Sequence, residues 1–129
     1  TGALMKRLTL FAAMSLLAGP AVATPESAAS AASAASTLAA ISDLGQLNGQ
    51  ALACGEMAIA GEAKQLVIQH APKTRRYGET FEEQTNTAFL AQGQTRHEPC
   101  PAAATFSGRL DELSKRLQAL LPTAPATAR

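Results

Sequence analysis

The chain has 129 residues, 11 basic and 10 acidic side chains, and a formal net charge of +1. That balance provides no basic field for holding nucleic acid or anionic lipid, so neither is expected as a partner. The length suits one domain, small enough that a covalent cross-link adds usefully to its stability.

The first 23 residues read as an export signal. Lys6 and Arg7 form a positive start, and residues 8–18 (LTLFAAMSLLA) are largely apolar. Gly19 and Pro20 break that run, and Ala21-Val22-Ala23 sets small residues at the positions that precede cleavage after Ala23. Eleven residues make a helix of about 16 Å, against a hydrocarbon core of roughly 30 Å, so no stable membrane anchor is expected. No cysteine directly follows the cleavage point, which closes the bacterial lipoprotein route. The expected product is periplasmic or secreted. It has 106 residues, and the loss of Lys6 and Arg7 turns the charge to −1.

Residues 24–36 (TPESAASAASAAS) place serine at every third position and carry no large apolar side chain. A three-residue period fits no buried face, so a flexible Ala/Ser tether is expected there.

From residue 37 the pattern becomes helical. Leu38, Ile41, Leu44, Leu47, Ala51 and Leu52 recur mostly by threes and fours, with Asp43, Gln46, Asn48 and Gln50 between them. Gly45, Gly49 and Ala53 fall every four residues. An interior glycine costs about 1 kcal/mol of helix propensity, so two in one helix point to close approach of a second helix. Membrane dimers use the same spacing, but the four polar residues argue against a lipid-spanning helix. Gly55 predicts a stop and puts Cys54 at the helix end.

A second helix is expected over residues 56–71, with Ile59, Ala63, Leu66 and Val67 facing inward, ended by Pro72. The third covers residues 74–92. Tyr77, Phe81, Ala88 and Phe89 form its stripe, Gly93 caps it, and it is expected to supply the bulky half of the core. Residues 94–101 form a loop, with Pro101 as the first residue of a fourth helix. That helix, residues 102–121, carries Phe106, Leu110, Leu113, Leu117, Leu120 and Leu121. Residues 122–129 are a polar tail. Cys54 and Cys100 are the only cysteines, and in an exported chain they predict a disulfide. The fold class is therefore all-α: a bundle of about four helices over residues 37–121, stapled by one disulfide and preceded by the signal peptide and tether. A link from the end of the first helix to the start of the fourth is expected to suit a crossing pair better than an antiparallel one.

The chemistry is mostly exclusions. There is no Cys-x-x-Cys, no haem-attachment motif, no Gly-x-Ser-x-Gly and no phosphate or calcium loop. Glu79, Glu82 and Glu83 share one helix and read as a solvated face rather than the acids of a hydrolase. His70 and His97 are the only histidines. They pair with Met57 or the thiols in no recognised ligand spacing, and oxidised cysteines do not bind zinc. No metal, cofactor or catalytic residue is expected. His70 reads as a cation at a helix C-terminus. The densest candidate for partner contact is Lys73, Arg75, Arg76 and Tyr77, since Arg and Tyr are enriched at binding hot spots. The expectation is a non-catalytic periplasmic module that binds a protein or an apolar ligand. A metal or haem carrier is the alternative, and a small hydrolase a weaker one.

Overall fold

The computed structural model describes Gly19 and residues 25–95 and 99–121. The rest of the expected signal peptide, His97 and the polar tail lie outside the described residues. Four α-helices follow in order: α1 (Pro25–Ala53), α2 (Met57–His70), α3 (Arg75–Leu90) and α4 (Ala103–Leu120). No strand occurs among the described residues.

Helix α1 starts at Pro25, twelve residues before the expected position, and runs as helix through the segment read as a tether. Alanine is the best helix former, and proline is tolerated at a first helical position, so the backbone winds without tertiary support. The side chains of residues 28–36 are nevertheless all exposed, as the lack of large apolar groups requires. The other end of α1 is as expected. Gly55 takes φ +76°, Glu56 N–H bonds Ala51 C=O at 2.8 Å and Gly55 N–H bonds Leu52 C=O at 3.3 Å. These two bonds form a Schellman cap.

Two smaller expectations are corrected. Gly93 does not cap α3, because α3 widens into a π-turn over Ala91–Thr95, and Gly93 is not among the positive-φ residues. Pro101 precedes α4 rather than opening it, because Ala102 occupies the N-cap.

Cross-helix bonds give the helix directions. Arg109 donates to Gln50, and Arg116 to Asp43, so α4 runs antiparallel to α1. Gln46 pairs with Gln84, and Gln50 with Gln92, so α3 runs parallel to it. Helices α1, α2 and α4 pack on one another, whereas α3 packs on α1 alone; no Cα of α3 comes within 8 Å of α2 or α4. The core follows this division. Ile41, Leu44, Leu47, Phe106 and Leu117 are its largest fully buried side chains, joined by Ile59 and Ala63 of α2. Helix α3 adds only Phe81 to the buried core, with Tyr77 packed at its edge. The expectation that α3 supplies the bulky half of the core is overturned, since its seat on α1 is largely polar and glycine-lined.

That seat is close. A Cβ on Gly45 would lie 2.7 Å from the Phe81 carbonyl oxygen and 2.8 Å from Gln84 Cβ; on Gly49 it would collide with the Thr85 carbonyl and sit 2.8 Å from Phe89 N. Backbone atoms of a packed helix cannot step aside cheaply, which accounts for both glycines. A Cβ on Gly61 of α2 meets nothing within 4 Å. Two substitutions of one chemical kind should therefore differ in sign. Gly61→Ala should stabilise by up to about 1 kcal/mol through helix propensity, whereas Gly49→Ala should destabilise by about 1–3 kcal/mol. Urea midpoints of both variants check this; a stabilised Gly49→Ala would remove the close α1–α3 contact.

Cys54 and Cys100 stand at disulfide distance, Cα–Cα 5.6 Å. The link joins the end of α1 to the start of an antiparallel α4, not of a crossing helix as expected. The reason is topological, since a helix that begins where another ends can fold straight back along it. A loop closed over 46 positions contributes about 4 kcal/mol by chain entropy. Cys54→Ser should accordingly lower the melting temperature by more than about 10 °C relative to the oxidised chain, measured by circular dichroism. An unchanged melting temperature would refute the staple.

Candidate functional site

Because the backbone of α3 closely approaches only that of α1, a groove opens along each of its flanks. The flank toward α2 is apolar. Leu52, Val67, Ile68, Phe81 and Phe89 line a space of about 710 Å³, with Lys64 of α2 and Glu82 and Asn86 of α3 at its edges. That volume lies within the range of small-ligand and peptide sites. Ile68 is 52% exposed and Phe89 41% exposed. Large apolar groups left in water beside one another mark an unfilled surface more strongly than any single exposed residue does.

Phe89 was expected in the core stripe of α3 and instead lines this groove. Phe81 alone completes the buried contact, because α3 approaches α1 at the glycines and cannot also turn Phe89 inward. One signal in the sequence marks the groove in retrospect. Val67 and Ile68 are adjacent on a helix, about 100° apart, so one of them must leave the buried stripe.

The floor of the groove is set by a buried polar contact. Asn48, only 3% exposed, donates from Nδ2 to Thr85 Oγ1 at 3.1 Å, and Thr85 Oγ1 donates to the Phe81 carbonyl at 2.7 Å. Each such bond adds about 1 kcal/mol net, and an unpaired partner costs more than a made bond gains. The chain of bonds fixes the register of α3 on α1 and with it the position of Phe81 and Phe89.

The basic segment is split by the fold. Lys73 Nζ donates to the Ile68 carbonyl in the last turn of α2. Arg75 points into solvent and pairs with Glu79 at 3.7 Å, with side chains 88% and 66% exposed. A pair that open contributes a few tenths of a kcal/mol at most. Arg76 is exposed as well, and Tyr77 is half-buried against the core. Glu82 reaches the groove, whereas Glu79 and Glu83 stay on the solvated face.

His70 sits in the last turn of α2, and its Nδ1 lies 2.8 Å from the Leu121 carbonyl at the C-cap of α4. Since a carbonyl only accepts, Nδ1 carries the proton and donates. The residue thus ties the C-terminal ends of α2 and α4 together, beyond its expected place at the end of its own helix. Among the described residues no three His, Cys, Asp or Glu side chains are grouped to hold a metal ion, and no helix is long and apolar enough to cross a membrane.

No protein-family model matches this chain, and no curated protein or solved structure is significantly similar to it.

Proposed function

We propose that the chain is an exported, periplasmic, non-catalytic binding module that receives the apolar face of a partner protein's helix in the groove between α2 and α3. The observation that carries this reading is the open apolar trough itself. No Cα of one wall comes within 8 Å of the other, and the walls leave Ile68 and Phe89 half in water. A small molecule is held by burying most of its surface in a closed pocket. An open trough between two helices instead suits an amphipathic helix that brings its own apolar stripe. Lys64 on one wall and Glu82 on the other offer opposite charges to such a helix and so favour one orientation. Support for export comes from the pattern of residues 6–23 and from a cysteine pair at disulfide distance.

Calorimetric titration of the oxidised chain tests the groove, using an 18-residue leucine/lysine amphipathic helical peptide and, separately, dodecanoate. The peptide should bind, and Phe89→Gln should weaken it roughly five- to tenfold through lost apolar burial. Glu83→Gln, on the same helix but off the groove, should change nothing. Binding of dodecanoate without the peptide would replace the helix reading by a small apolar ligand. Indifference to Phe89→Gln would remove the groove altogether.

Export has its own test. The intact mass of the chain taken from its own cells without reductant should begin at Thr24 and be two hydrogens short of the free dithiol. A retained N-terminal segment with two thiols would defeat the periplasmic reading.

A further inference from the structure

We propose that the other flank of α3, facing α4, is a second binding site, for the free carboxyl end of a short peptide. Gln46 and Gln50 of α1, Gln84 of α3, Gln92 of the π-turn and Arg109 of α4 line a groove of about 420 Å³. That volume accommodates a di- or tripeptide.

The charge distribution selects the ligand end. Among the described residues, Arg109 is the only charged one lining this groove; the others are amides, a hydroxyl and alanine. Its guanidinium is held in place, with Nη1 donating to Gln50 Oε1 at 2.5 Å. Gln50 Nε2 in turn donates to Gln92 Oε1 at 2.9 Å, so one bonded chain runs from α4 through α1 to the π-turn. A fixed guanidinium fork matches a carboxylate in two-pronged geometry, which a lysine does not.

Asp43 and Glu112 line the neighbouring groove, which shares Gln46 and Arg109 with this one and which Arg116 also lines. Arg116 takes Asp43 at 2.6 Å. Apart from Arg109 itself, that groove carries two carboxylates and one arginine, a formal charge of −1, so selection of a carboxylate rests on the direct guanidinium contact rather than on the surrounding field.

The remaining lining selects the body of the ligand. A primary amide sets a donor and an acceptor side by side, the same pair that a peptide bond presents. Gln46 and Gln84, themselves joined at 3.3 Å, mount such amides along the wall. Among the described residues no aromatic side chain lines the groove, which disfavours a sugar ring or a nucleobase, both of which are ordinarily held by stacking. The ligand class left is a small, polar, amide-bearing carboxylate.

The test is calorimetric titration of the oxidised chain with trialanine, trialanine amide and inorganic phosphate. Trialanine should bind, its amide should bind about tenfold more weakly or worse, and phosphate should not compete. Arg109→Gln should abolish the preference for the free acid, and Arg109→Lys should keep part of it. Phe89→Gln should leave all of this unchanged, which separates the site from the apolar groove. Equal binding of acid and amide overturns the proposal, as does phosphate bound as tightly as trialanine, or no binding of trialanine at millimolar concentration. The acid–amide comparison needs no variant, so a misfolded Arg109 substitution cannot decide the result.

Discussion

Everything in this molecule leans on α1, and within α1 on the contact at Gly45 and Gly49. Two helices whose facing residues carry side chains usually sit 8–10 Å apart. Here the missing Cβ atoms let α3 settle until Thr85 and Phe89 backbone atoms fill the space a side chain would take. The approach is specific to one register, because a shift of α3 by one residue would set Gln84 or Asn86 against Gly49 in place of Thr85. The Asn48–Thr85–Phe81 bonds hold that register from the inside. The glutamine pairs at Gln46–Gln84 and Gln50–Gln92 hold it from the outside.

A cost follows from so close a seat. A helix that sinks onto one neighbour at a small-residue face withdraws from the others, and no Cα of α3 comes within 8 Å of α2 or α4. The triangle of α1, α2 and α4 holds most of the apolar core and, with Cys54–Cys100 and His70–Leu121 tying its ends, has the contacts of a self-sufficient unit. Helix α3 then acts as a partition. It divides the surface of α1 into an apolar trough on the α2 side and an amide-lined one on the α4 side. The two differ in chemistry because Phe81 and Phe89 lie on one side of α3, whereas Gln84 and the π-turn's Gln92 lie on the other.

The helices, their order and their buried stripes were legible in the residues. Ile41, Leu44 and Leu47, then Ile59 and Ala63, then Phe106, Leu110 and Leu117 all face inward as their spacing indicates. Hydrophobic burial is a local property of a periodic segment, and it needs no knowledge of the partner. The Gly45–Gly49 spacing also announced a close neighbour, and Gly55 the end of α1. Less visible was the helical state of residues 25–36, where good intrinsic propensity competes with the absence of anything to pack on.

By itself, then, the sequence determined an all-α chain, the faces its helices bury, the pairing of its two cysteines and a demand for one close helix–helix contact. Those follow from periodicity, side-chain size and thiol count, all of which act within or near a segment. Only the tertiary structure decided which helix answers that demand, that α4 returns antiparallel beside α1, and that Phe89 and Ile68 stay outside the core. It also decided that Arg109 meets Gln50 across 59 positions of chain. Both grooves are spaces between helices, created by a packing choice among several that the same amphipathic stripes would permit. A stripe says that a face is to be covered; the competition among faces settles which one goes uncovered.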